Sequence, residues 1–387
     1  MKIRHLFFLF LLGITFAVNA QTTVGSDGIE WGNFRFRPKA SAAVTYDNRV
    51  LSNASSTEGD IYSELTAGFE LGNLPARYNL FAGGIYGQRF YNEYTVLDDD
   101  FYSGEVGLKS DQGLLNWGVS SEIRKDLNYN TSYDPSTGSG PDGILTDVPN
   151  RRSSTRGSIS YDLELSARTS LVPEYGLWHY YQELEGAGST EWQVHHVGLP
   201  LRYAYSDKTY ISAGGAFSLQ TNEDEDGYIG TAFIGAESRA TDKTTYSIML
   251  GASFVEYDLS GSDVGGVSDV RVEWKATDKV SLYVFGGNRF QPGYGGGPAR
   301  MVFRAGYGAN WRFAERWFVN GQGLHDYEQA LGSDSGSFIY GGVRHFFDAR
   351  LGYTFPKYAE ISVVGRLIND EEVEDRTTLS IRLDCKI

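Results

Sequence analysis

Ser206-Asp207-Lys208, Thr241-Asp242-Lys243, Thr277-Asp278-Lys279 and Ala314-Glu315-Arg316 recur about every 36 residues. Each is a short polar turn. Between one turn and the next lie two stretches of alternating apolar and polar residues, joined by a longer acidic or Gly-rich loop. Such a unit is an antiparallel hairpin, and hairpins repeated at this spacing close into a barrel.

Outward from 206–316 the same alternation continues. In 60–71, Ile61, Leu65, Ala67, Phe69 and Leu71 share one face, and Asp60, Tyr62, Glu64, Thr66 and Glu70 the other. In 156–167, Ile159, Tyr161, Leu163, Leu165 and Ala167 oppose Ser158, Ser160, Asp162, Glu164 and Ser166. In 300–312, Met301, Phe303, Ala305, Tyr307, Ala309 and Trp311 oppose Arg304, Asn310 and Arg312. Charges fall mid-strand on one parity only, as where a polar face lines an enclosed lumen and an apolar face meets lipid. A soluble sandwich also alternates, so strand number, loop asymmetry and the N-terminus have to decide.

About 18 segments qualify, among them 33–46, 191–205, 267–276, 340–354 and 376–385; 16 strands fit if two weak segments are loops. An even count puts both termini on the periplasmic side. Short turns follow even strands and longer loops follow odd ones, the outer-membrane arrangement. The expected fold is all-β: one transmembrane, antiparallel, up-and-down β-barrel spanning 21–387, with no linker dividing it.

Lys2 and Arg4 precede an apolar run from Leu6 to Val18, and Val18-Asn19-Ala20 is a small-residue cleavage pattern. Residues 1–20 therefore read as a signal peptide cleaved near Ala20. The run is too short to span a bilayer, and no later segment has 18 consecutive apolar residues. The expected location is the bacterial outer membrane.

The formal charge is −15, and −17 after removal of Lys2 and Arg4 (32 basic against 49 acidic residues). Nucleic-acid binding is disfavoured, because phosphate contacts need a basic surface. The one cysteine, Cys385, excludes an intrachain disulfide framework and a Cys-rich metal site. No cofactor and no metal site are expected. The 26 Tyr and 47 Gly suit membrane interfaces and bending strands.

On this register the candidate lumen-lining basic residues are Arg271, Arg289, Arg304, Arg312, Arg350, Arg366, Arg376 and Arg382. The candidate acids are Glu64, Glu70, Glu105 and Glu122. They make either a transverse field that guides an anionic solute or a set of structural ion pairs. The acidic runs 98–100, 223–226 and 371–375 lack the spacing of a Ca²⁺ loop and read as solvated. Met301 and the aromatic rows read as lipid-facing. His325-Asp326 is the nearest approach to a catalytic pair. No nucleophile stands at a diagnostic spacing from it, and no G-x-S-x-G or H-E-x-x-H occurs. An enzyme is not expected. His195-His196 cannot form a metal pair on a strand, since neighbours point to opposite faces.

The segment Phe36-Arg37-Pro38-Lys39-Ala40-Ser41-Ala42-Ala43-Val44-Thr45-Tyr46-Asp47-Asn48, followed by Asp60-Ile61 and a strand closing in Gly68-Phe69-Glu70, resembles the second β-barrel porin family. The family more often has Tyr-Asp-Asp-Asn where this chain has Tyr46-Asp47-Asn48. The resemblance implies an outer-membrane barrel over essentially the whole mature chain, in a family some of whose members are encoded with exopolysaccharide export genes. It carries no catalytic motif. The function expected is a porin or export conduit for small hydrophilic or anionic solutes, or polysaccharide, with 128–150 as a constricting loop. The alternatives are a non-conducting structural or adhesive surface barrel and, last, a rim hydrolase. The expected partners are outer-membrane lipid, lipopolysaccharide, the barrel-assembly machinery and the solute. Oligomeric state is left open.

Overall fold

The computed structural model describes residues 28–31, 34–53, 56–73, 78–110, 115–126, 150–184, 188–222, 226–258, 261–291, 300–330, 343–356, 359–370 and 373–386. The signal segment, the cleavage point and the loop 128–149 lie outside them. Eighteen antiparallel strands form one closed barrel. They are β1 (Phe34–Asn53), β2 (Ser56–Asn73), β3 (Tyr78–Tyr91), β4 (Asp99–Ser110), β5 (Leu115–Asp126) and β6 (Asn150–Tyr161 with Leu163–Ser166). Next come β7 (Thr169–Leu171 with Glu174–Leu184), β8 (Gly188–Ser206), β9 (Thr209–Asn222), β10 (Gly227–Thr241), β11 (Thr244–Tyr257) and β12 (Gly261–Thr277). The last six are β13 (Val280–Gln291), β14 (Arg300–Trp311), β15 (Trp317–Ala330), β16 (Val343–Thr354), β17 (Ala359–Asp370) and β18 (Val373–Lys386). Each pairs with its neighbours in sequence, and β18 pairs with β1 to close the ring. A three-residue strand, Ile29–Trp31, folds back on the start of β1.

Four of the short turns share one device, which Ala314-Glu315-Arg316, with no hydroxyl at its first position, lacks. The N–H of Arg168, Lys208, Lys243 and Lys279 reaches the hydroxyl two residues earlier, on Ser166, Ser206, Thr241 and Thr277, at 3.1–3.3 Å. A hydroxyl in this position mimics a backbone turn and frees the chain to reverse in two residues. The carbonyls of Arg168, Lys208, Lys243 and Lys279 then accept N–H groups from Ala204, Arg239, Lys275 and Arg312 of the adjoining strand. The sequence rhythm is thus a row of equivalent reversals stitched to one another along one rim.

β6 and β7 break at the same level. Pro173 has no N–H to donate, and the local bonds are Tyr161 N–H to Pro173 O (3.1 Å) and Val172 N–H to Pro200 O (2.9 Å).

The outer face is apolar and exposed between two aromatic belts. Near the short-turn rim Trp311, Phe313, Trp317, Tyr353 and Phe355 form a chain of ring contacts at 4.9–6.3 Å. Near the other rim stand Phe217–Tyr228–Phe254 and Phe303–Tyr327. Ten residues of tilted strand, as from Trp317 to Tyr327, rise about 25 Å, the height of a lipid-facing band. Among the described residues no helix is long and apolar enough to cross a membrane.

On the side away from the short turns the strands run further than alternation marks them. β1 and β2 pair out to Asn53↔Ser56, β12 begins at Gly261 opposite Tyr257, and β17 and β18 pair out to Asp370↔Val373. Past the lipid band both faces meet water, so the apolar/polar signal fades while the main-chain ladder continues. Several segments expected as long loops are therefore paired strand.

Candidate functional site: the barrel interior

Strand parity turns the apolar rows outward and the charges inward. Arg304 clasps Asp326 with both ends of its fork at 2.7 Å, and Asp326 is 2% exposed. Arg366 donates to Asp348 at 2.6 Å. Asp348 also accepts Gln322 at 3.0 Å, whose amide oxygen accepts the Tyr283 hydroxyl at 3.0 Å. Arg350 pairs with Glu360 and lies 3.4 Å from Asp384, which also takes Arg382 at 2.7 Å. Arg376 holds Asp47, and Arg271 holds Glu273 at 2.7 Å. On the N-terminal strands Glu64 receives Arg89 at 3.2 Å and Glu70 receives Lys39.

The remaining candidates lie apart from these pairs. Arg289 and Glu105 border an interior cavity, Glu122 is exposed on β5, and Arg312 sits past the end of β14, exposed at the short-turn rim. Six of the eight arginines thus face a carboxylate two residues away on the same strand or across neighbouring strands. Such pairing yields local dipoles in place of an uncompensated positive ladder.

Sequence patterning did not reveal the opposite wall. The inward positions of β11, among them Met249, Ser253, Val255 and Tyr257, carry no charge. Beside them Trp178, Tyr180 and Trp192 of β7 and β8 pack together, with ring centroids at 4.5 and 5.1 Å and the Arg156 guanidinium 4.5 Å above Trp178. The inner faces of β3 to β13 border a cavity of about 870 Å³, lined by Glu105, Arg156, Glu174, His196, Arg289 and Phe290 among others.

The β13–β14 hairpin overturns the outward reading of Met301. The β12–β13 ladder stops at Ser268↔Asn288, while β13 and β14 stay paired to Gln291↔Arg300. Where the ladder ends, the Asn288 amide donates to Gly266 O and its oxygen accepts the Ser268 hydroxyl at 2.6 Å. Beyond this point β13 parts from β12 and turns inward with β14, which stays paired with β15 to Arg300↔Ala330. Phe290 and Met301, on the nominally outward parity, are 7% and 8% exposed and pack on the inward-facing Ile229, Val255 and Tyr257. Alternation assumes a flat sheet, and an inward turn of the strand ends where β13 parts from β12 exchanges the environments of their two faces. The ends of β13 and β14 therefore narrow the interior.

His325-Asp326 is no dyad. Asp326 points inward to Arg304, whereas His325 points outward to His345. His195 and His196 likewise part, toward Tyr175 and toward Ser218 and Glu174. Asp98 caps the Tyr91 N–H at 2.8 Å, and Asp99 and Asp100 open β4; residues 223–225 and 371–372 lie outside the described residues. Among the described residues no group of three or more His, Cys, Asp or Glu side chains could hold a metal ion.

No protein-family model and no curated protein matches the sequence. Among solved structures the chain is similar to OccAB4 of Acinetobacter baumannii, at 10% identity and TM-score 0.49, over 94% of this chain and 100% of that one. It is similar to a BenF-like porin of Pseudomonas fluorescens Pf-5, at 12% identity and TM-score 0.49, over 91% and 99%. It is also similar to the FrpB iron transporter of Neisseria meningitidis (F3-3 variant), at 10% identity and TM-score 0.48, over 90% of this chain. The chain spans 64% of that transporter's length.

Proposed function

We propose that the chain is an outer-membrane pore, exported by its N-terminal signal and passing small hydrophilic solutes by diffusion. The observation that carries this reading is the contrast between the two faces of one closed wall. The outside is apolar between aromatic belts, while the inside carries the paired charges of the C-terminal strands and encloses a cavity of about 870 Å³. A lumen of this kind admits solutes by size and charge. The Tyr46-Asp47-Asn48 and Asp60-Ile61 segments support a place in the second β-barrel porin family. Lipopolysaccharide and the barrel-assembly machinery are the partners such a location implies. The paired arginines favour weak charge selectivity over a strong preference for anionic solutes or an acidic polysaccharide.

A second reading, a non-conducting surface barrel, is favoured by the inward-bent hairpin. Planar-bilayer recording of the refolded barrel separates the two. Stable single-channel conductance supports the pore. A verified folded barrel without conductance, and without conductance after Phe290→Ala opens the hairpin contact, overturns it.

A further inference from the structure

His325 on β15 and His345 on β16 are cross-strand partners on the outer face, with Nδ1 atoms 2.7 Å apart and ring centroids at 4.9 Å. They stand inside the belt away from the short turns, two residues below Tyr327. Aromatic rings hold the pair in place. Tyr307 lies across Gly323, where a Cβ would strike its ring, and comes within 5.9 Å of His325; Phe347 flanks His325 at 5.6 Å. The polar row continues to Asn369, the β17 partner of His345, whose amide donates to the Asp375 carboxylate. A pair of imidazoles set among the belt rings on the lipid-side face is costly unless it has a use.

From this juxtaposition we propose that His325 and His345 form a two-nitrogen site for a borderline divalent metal ion, Zn²⁺ or Cu²⁺, at the outer rim. Imidazole suits these ions. Two nitrogens bound tetrahedrally at about 2.0–2.1 Å sit roughly 3.3 Å apart, so a small rotation of either ring opens the observed spacing to fit. One proton lies between the two Nδ1 atoms in the neutral pair. On metal binding it moves to Nε2 of the donor ring, leaving both rings neutral with both Nδ1 lone pairs on the ion. The other coordination positions face outward, open to water or to an oxygen of a lipid head group. The site depends only on the outward face and holds whether or not the barrel conducts.

The test is titration of the refolded full-length barrel in detergent with Cu²⁺ at neutral pH, followed by electron paramagnetic resonance, and with Zn²⁺, followed by thermal unfolding. One Cu²⁺ per barrel with coupling to two nitrogens is expected, with a Zn²⁺-dependent rise in unfolding temperature. His325→Gln and His345→Gln should each weaken binding at least about tenfold and abolish the two-nitrogen signature. His179→Gln and His195→Gln should leave it unchanged. Folding of every variant is checked by heat-modifiable gel mobility; if one ligand variant fails to fold, the other carries the comparison. Absence of stoichiometric binding by the native barrel, or binding unaltered in the folded ligand variants, overturns the proposal.

Discussion

Arg376 on the last strand donates to Asp47 on the first, Nε to Oδ1 at 3.1 Å and Nη2 to Oδ2 at 2.5 Å, across the seam that closes the ring. Asp47 is 1% exposed. The next residue works on the same seam: Asn48 Oδ1 accepts the Thr377 N–H at 2.7 Å, and its amide donates to Asp375 O. Thr45 and Ser380 share a hydroxyl bond at 2.7 Å one step inside. Asp60, across β2, accepts the N–H groups of Glu93 and Tyr94 at 3.0 and 3.1 Å and ties down the chain between β3 and β4. The residues that carry the family resemblance thus form the clasp at the closure. Asp47→Ala leaves a nearly buried guanidinium without its partner, and removing one member of such a pair costs about 3–5 kcal/mol. The expected result is a lower urea midpoint and loss of the folded band at a lower temperature on gels. Asp47→Ala combined with Arg376→Met should recover part of the loss. Equal stability of Asp47→Ala and the native barrel would show that the clasp contributes nothing.

The compensated arginines give a prediction about selectivity. Asp348→Asn removes the charge that neutralises Arg366 while keeping the acceptor for Gln322. A unit charge acting over about 4 Å in a water-filled lumen is worth about 1 kcal/mol. The anion-to-cation permeability ratio should therefore rise by up to about fivefold, read from the reversal potential across a salt gradient. The effect should shrink as salt is raised, because the charge is screened. A shift toward cations would contradict the inward placement of the pair.

The turn hydroxyls predict a modest and local effect. Thr277→Ala removes the acceptor of the Lys279 N–H at an exposed reversal. Losing one such bond costs about 0.5–1.5 kcal/mol, seen as a small fall in unfolding midpoint with unchanged conductance. Thr277→Ser, which keeps the hydroxyl, should behave as the native chain does.

The fold was legible because lipid on one side and water on the other force the alternation wherever the wall lies in the membrane. β11 (244–257) and β13 (280–291) begin and end where the pattern does. The pattern misreads residues where that contrast ends. Asn53 and Gly261 lie beyond the lipid band, where only the main-chain ladder marks a strand. Met301 has outward parity but inward packing, because the ends of β13 and β14 turn inward where β13 parts from β12. Register placed Arg304 and Arg366 on the inner face, but their partners are set by strand order and stagger, which a single strand does not encode. His325 and His345 are 20 residues apart in the chain and meet only through pairing of β15 with β16.

The bent hairpin gives the prediction closest to function. Phe290 and Met301, at the ends of β13 and β14, pack against Ile229, Val255 and Tyr257, and Tyr257 is itself fixed by its hydroxyl donating to Gln220 at 2.7 Å. Phe290→Ala empties that contact. Truncating a buried aromatic costs about 3–5 kcal/mol where the surroundings cannot collapse, and here the cost falls on the contact between these strand ends and the wall. β12 and β13 are already unpaired above Asn288 and β14 is held to β15 through Arg300↔Ala330, so the end of β13 can move back toward β12 without breaking a ladder bond. Single-channel conductance should rise, and the unfolding midpoint should fall less than for Asp47→Ala. Phe290→Leu, which keeps most of the apolar contact, should lie between. If Phe290→Ala conducts as the native barrel does, the hairpin is packing and the narrowest point of the pathway lies elsewhere.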